Sequence, residues 1–430
     1  MRLPAAIALI AGSILLVMIF PASAFWMACV LCVASLQWER SLIAVFFLFA
    51  ALHCVAGYVL SFRGEESIYW LATGQGLWFA KAAFAIALGL FAMATAYRCS
   101  NHGQPTWINR LVIDEDRLLK VSRLAVIAAA AAMFYLYSRF SIIDLALQNL
   151  TEIGKLRYLG SESASDAYFV VRLSDVLVFT LPLFWLIRRT KWDTLLCFVG
   201  FVALLLPLRR AALFSVLFTA LLVQARTIGY RKLVILLLVF IVIFGASQVA
   251  LLSFTGNDAS TSLASALSEV RDLGWAMELI HGNYFNGVTL IQPFDPFPGL
   301  IDSWKHTHSI AYITAELLNV DPESRSFGGL RITLAGEAFL NLWFFGPVIF
   351  GYMLGLCAAW ARRSMQNATT MPIRYLSVMS FIWICLWLYI AGTQAVATLK
   401  FGVLVLFMVY FIARKRSPAV TSETMRPAMA

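Results

Sequence analysis

Apolar runs long enough to cross a bilayer follow one another along most of this chain, with short polar turns between them. A hydrocarbon layer about 30 Å thick takes roughly 20 apolar residues as helix, and in lipid each backbone N–H and C=O must be bonded internally. The pattern points to one fold class, an all-α, polytopic integral membrane protein. A composition of 61% hydrophobic and 13% charged residues, with mean hydropathy +0.80, lies outside the range of soluble globular domains.

About twelve spans are expected, near 3–20, 22–37, 41–61, 75–97, 124–141, 168–187, 192–208, 211–226, 232–252, 334–361, 373–391 and 396–413. They divide the chain into an N-terminal bundle of about nine spans (1–252), a large structured loop (253–333), about three C-terminal spans (334–413) and a tail (414–430). Ala22-Ser23-Ala24 imitates a signal-peptidase site. A second apolar run from Phe25 to Leu36 follows at once, however, and Pro21 is a natural hairpin breaker, so the first span is read as retained.

The formal net charge of +10 is spread over the turns. The tight clusters "RRTK" (188–191), "RTIGYRK" (226–232), "RR" (362–363) and "RKR" (414–416) fall on one side, which places the N- and C-termini in the cytoplasm. No basic face interleaved with aromatics occurs, so nucleic acid is not an expected partner. Cys29 and Cys32 have C-x-x-C spacing but sit in an apolar helix without histidine, where packing explains them.

One external turn breaks the charge rule. In "LLLPLRRAALF" (204–214), Arg209 and Arg210 stand where positive charge is selected against. Adjacent residues point in different helical directions, so one of the two is expected to face the bundle interior, where an ionisable group marks a functional position. Lys81 and Lys400 sit near other external helix ends, and an external segment from Ser141 to Ala167, with Lys155 and Arg157, leads to Arg172 at the start of the next span.

The long loop is rich in Trp, Tyr, Phe, Pro and Gly, and reads as a structured cap resting on the membrane. Leu263, Leu267, Val270, Gly274, Met277 and Ile280 repeat at helical spacing, with Thr261 as N-cap and with Arg271, Trp275 and Glu278 on another face. A second short helix is expected over about 308–319. His306 and His308 would diverge at a helix entry, no Asp-x-Asp pair occurs, and no Gly-rich phosphate loop is present, so neither a metal nor a cofactor is expected. The outer face instead offers cations: Arg209, Arg210, Arg271, Lys305, Arg325, Arg331, Arg157 and Arg172. Guanidinium groups hold phosphate oxygens in a planar fork and stay charged, which suits a lipid-linked diphosphate.

Three features resemble the Wzy-type polymerases of bacterial O-antigen and exopolysaccharide repeat units. The first is the outer arginine turn followed by an apolar helix, "LRRAALFSVLF". The second is a loop that opens on Arg271-Asp272 and continues through Gly287, a Pro-rich stretch and Trp304-Lys305. The third is Gly328-Gly329 before "GEAFLNLWFFG", with Gly336, Glu337, Asn341 and Gly346. Here Phe339 stands for the family's frequent Tyr, two extra residues precede Gly346, and Pro207-Leu208 replaces a frequent Gly before the arginines.

The resemblance implies transfer of a growing glycan from undecaprenyl diphosphate to a new lipid-linked repeat unit, on the periplasmic face of the inner membrane. It implies a chain-length regulator and a flippase as membrane partners. Arg209, Arg210 and Arg271 would stabilise the departing diphosphate, and a base among His308, His306, His281 and Glu337 would take the acceptor proton. Lys305, Arg325, Arg331, Arg157, Arg172, Trp304 and His306 would bind substrate, with Trp275 and Tyr284 as further stacking candidates. Two other readings remain open at this point, an O-antigen ligase and a lipid-linked oligosaccharide flippase or transporter.

Overall fold

The computed structural model describes residues 3–36, 42–62, 76–100, 107–139, 164–206, 269–280, 285–290, 308–317, 332–390 and 393–414, with residues 219, 223 and 235. Among them the chain is helical and forms no strand. The helices are α1 (Leu3–Ile19), α2 (Ala24–Ser35), α3 (Leu42–Ser61), α4 (Gly76–Cys99), α5 (Glu115–Arg139), α6 (Ala164–Ile187) and α7 (Lys191–Leu205). They continue with α8 (Glu269–Ile280), α9 (Ile310–Leu317), α10 (Leu334–Leu342), α11 (Phe345–Gln366), α12 (Met371–Ile390) and α13 (Thr393–Ala413).

Three of the described helices, α4, α5 and α11, are long and apolar enough to cross a membrane. Shorter apolar stretches of 10–17 residues lie in α1, in α2 with its preceding turn, and in α3, α6, α12 and α13. Membrane character therefore rests on three full-length helices, fewer than the expected set. The expected spans at 211–226 and 232–252 lie almost wholly outside the described residues.

Two expected boundaries are corrected. The span expected over 334–361 is two helices, broken at Trp343, whose φ of 54° and ψ of −147° end α10. Gly346 follows, and any side chain there would lie 1.9 Å from the Ala338 carbonyl oxygen, so the two helices fold back on each other at glycine distance. Helix α5 begins at Glu115, well before the expected 124, because Asp114 caps it by accepting from the N–H groups of Asp116 and Arg117, each at 3.1 Å.

Two packed groups make up the bundle. In the first, α4 is enclosed by α2, α3, α8, α10 and α11. Its "AKAAFAIALGLFAMATA" is apolar nearly all round, the pattern of a central helix. Helix α11 brings Gly351 and Gly355, a G-x-x-x-G pair, onto α4. Added side chains there would lie 2.2 Å from the Gly89 oxygen and 2.3 Å from the Met93 oxygen. In the second group α5, α6, α7, α12 and α13 pack through larger side chains.

The basic residues gather at one end of the bundle. Arg98 donates to the Leu36 carbonyl at 2.8 Å, Arg362 meets the Tyr97 hydroxyl, and Arg363 meets the Ser100 carbonyl. Arg123 pairs with Asp193 at 2.6 Å, and Asp193 forms a capping box with Thr190. Helix α13 ends there, with Ala413 accepting from the Asp114 N–H at 2.8 Å. Helix α4 starts at the opposite, far end, where Trp78 and Lys81 meet Val17 and Met18 near the end of α1.

Candidate functional site

Of the described part of the 253–333 segment, α8 packs on α4 and α3 near the start of α4, and α9 packs on α8. Val270, Gly274, Met277 and Ile280 are buried as the helical spacing expects, while Thr261, Leu263 and Leu267 lie outside the described residues. The helix does not rest on the bundle as a cap, however. It is wedged against α4 and α3, and a side chain at Gly274 would come within 2.5 Å of the Phe79 ring. Wedging becomes favourable because each α8 charge near the bundle finds a partner. Glu269 Oε2 lies 2.8 Å from His53 Nε2, and each side chain is only 10% exposed. A carboxylate also suits the N-terminal turn of a helix. Arg271 Nε lies 3.3 Å from Asp272 Oδ1, with its guanidinium 4.6 Å over the Trp275 ring.

Helix α10 is a half-depth element. Thr333 caps it by accepting from the Gly336 N–H at 3.1 Å. Its first residues meet the middle of α4, since a side chain at Gly89 would strike Ala335. At 1.5 Å per residue, Gly89 lies about 20 Å along α4 from Gly76. At the other end of α10, Phe344 packs edge-on to Phe84, with centroids 5.5 Å apart. The chain thus rises from mid-bundle to the far end in α10, turns at Trp343, and crosses back in α11. Such irregular backbone is tolerated at membrane depth where protein encloses it.

Asn341, near the end of α10, fixes the loop 285–290. Its Oδ1 accepts from the N–H of Gly287 at 3.0 Å and of Thr289 at 3.4 Å. Its Nδ2 donates to Thr289 Oγ1 at 2.6 Å and to the Glu337 carbonyl at 2.8 Å. Phe285 N–H adds a bond to the Leu340 carbonyl at 2.9 Å. Asn286 and Gly287 both have positive φ, 50° and 90°, so this is a tight turn held from below by one amide.

Between α1, α4, α8 and the Trp343 turn lies a cavity of about 340 Å³, lined by Trp78, Lys81, Met277, Phe339, Trp343 and Phe344 among others. Among the described residues Lys81 is the one charged group in that lining, and its Nζ stands 4.5 Å from the Trp78 ring centroid.

Of the residues singled out in the sequence, the structure brings Arg271 and Trp275 together, with Trp275 buried as packing. It places Glu337 in the first turn of α10 without exposure, and His308, half-buried, just before α9, which packs on α8. Arg172 falls on α6. Arg209, Arg210, Arg157, Trp304, Lys305, His306, Arg325 and Arg331 lie outside the described residues, as do His281 and Tyr284. Among the described residues no three of His, Cys, Asp and Glu come together as a metal would require.

Sequence reasoning missed the His53–Glu269 link, the clamp role of Asn341 and the cavity around Lys81. A lone histidine inside an apolar span was the available signal for the first. Compared with protein-family models, with curated proteins and with solved structures, the chain finds no match.

Proposed function

We propose that this protein joins oligosaccharide repeat units carried on undecaprenyl diphosphate into a longer glycan, by metal-independent transfer at the periplasmic face of a bacterial inner membrane. One observation carries the reading. Those residues behind the resemblance that the structure describes come into contact although they lie far apart in the chain. Gly336 abuts Leu273 beside Arg271-Asp272, and Asn341 holds Gly287.

In this reading Arg209, Arg210 and Arg271 stabilise the charge that grows on the departing diphosphate. Asp272 takes the Nε–H of Arg271, which leaves the terminal nitrogens of the guanidinium for an incoming oxygen. His308, half-buried, suits the role of base for the acceptor hydroxyl better than the fully enclosed Glu337.

A second reading, transport of a lipid-linked oligosaccharide, draws on α10, because broken helices ending near the midplane line many transporter sites. Deleting the gene distinguishes the two. Loss of long glycan with single repeat units still reaching the surface supports polymerisation. Loss of all surface units supports transport and overturns the polymerase.

A further inference from the structure

We propose that the cavity between α1, α4, α8 and the Trp343 turn binds a single-chain lipid phosphate drawn from the surrounding bilayer, with Lys81 against the phosphate and the aromatic walls against the first part of the chain. This goes beyond glycan transfer, since a protein that made no polymer would still bind such a lipid.

Charge points to the occupant. Lys81 lies about 8 Å along α4 from Gly76, at 1.5 Å per residue, so it sits at the depth where a span meets headgroups. A lysine there normally snorkels to water. Among the described residues Lys81 has no carboxylate partner, and the Trp78 face is what it meets. The remaining lining, Met277, Phe339, Trp343 and Phe344 included, is apolar. A sugar would need several hydrogen-bonding groups, and a neutral lipid would leave the ammonium unmatched. An anion carried on an apolar chain satisfies both parts.

Size narrows the class further. Pockets for small molecules span about 300–1,000 Å³, and 340 Å³ stands at the low end. That volume takes a headgroup and a short length of one chain. On the α1 side the cavity is edged by buried Val17 and half-exposed Met18, and the neighbouring Leu15 and Ile19 are exposed apolar side chains. Strain marks the same place. Trp343, at φ 54°, holds a backbone region that non-glycine residues rarely occupy, and its ring lines the cavity.

The test uses the full chain in phosphatidylcholine nanodiscs, with dodecyl phosphate bearing a diazirine on its chain as the probe. Peptides containing Trp78–Lys81, Met277–Ile280 and Phe339–Phe344 should be labelled. Unlabelled dodecyl phosphate should compete, and dodecanol and inorganic phosphate should not. Lys81→Gln should weaken labelling about tenfold or more, the loss expected for a charge-assisted hydrogen bond, while Lys81→Arg retains it. Met277→Trp, which fills the cavity from the α8 side, should block labelling in a protein whose Lys81 is intact. Equal competition by dodecanol, or undiminished labelling of Lys81→Gln or Met277→Trp, would overturn the proposal in favour of a crevice filled by bulk lipid. Competition by inorganic phosphate alone would make it a free-anion site.

Discussion

Around α4, helices meet through glycine and alanine, with backbone against backbone at Gly89, Gly351 and Gly355. Around α5 and α6 they meet through large side chains whose hydroxyls reach a neighbouring backbone. Tyr137 donates to the Ala203 carbonyl at 2.8 Å, Tyr375 to that of Phe179 at 2.6 Å, and Phe179 stacks on Trp383 at 5.2 Å. The two halves also put their ion pairs in different places. Among the described residues the α5–α6 half holds its ion pairs at the basic end, in Arg123–Asp193 and Arg189–Asp116. The α4 half holds His53–Glu269, Arg271–Asp272 and the Asn341 clamp toward the far end. Close backbone packing leaves room beside α4 for two short helices and a tight turn to enter the bundle, and these carry the candidate site. The other half reads as scaffold.

The comparison breaks most readily at the glycines. Gly355→Leu would drive a side chain into the Met93 carbonyl, which cannot move without α4, and should abolish folded protein on size-exclusion chromatography. Gly200→Ala in the other half meets side chains alone, Leu181 Cδ1 at 2.9 Å and Val126 Cγ1 at 3.4 Å, and should cost about 1 kcal/mol or less, since a flexible side chain gives way. Equal tolerance would show that the α4 half is not the more closely packed one.

Next in size is the arginine turn. Replacing Arg209 or Arg210 by Ala should, at one of the two positions at least, cut polymer formation about a hundredfold to a thousandfold at unchanged protein level, with Lys restoring little. Normal chain-length ladders from both Ala variants would shift the diphosphate site toward Arg271.

The smallest pair sharpens the division of labour. Asn341→Ala removes four hydrogen bonds and frees the 285–290 turn, so polymer formation should fall about tenfold, with modest loss of stability. Tyr137→Phe should cost about 1 kcal/mol in stability and leave activity unchanged. Activity loss in Tyr137→Phe equal to that in Asn341→Ala would erase the distinction between site and scaffold.

Periodicity made this α8 face readable in advance, because Val270, Gly274, Met277 and Ile280 repeat every three or four residues. The break at Trp343 was not, since "LNLWFFG" continues the apolar run and tryptophan is no usual helix breaker. Nor was the wedge. His53 and Glu269 stand 216 residues apart, and nothing local in either segment names the other. Lys81 was visible as a cation near a helix end, but the cavity beside it depends on α1, α8 and the Trp343 turn meeting in space.

The most direct measurement supplies purified protein in lipid vesicles with lipid-diphosphate-linked repeat units, in the presence of EDTA, and resolves the products by length. The account predicts a ladder of two or more units that grows with time. Single units unchanged in length, with the same protein folded and the substrate accessible, would contradict it.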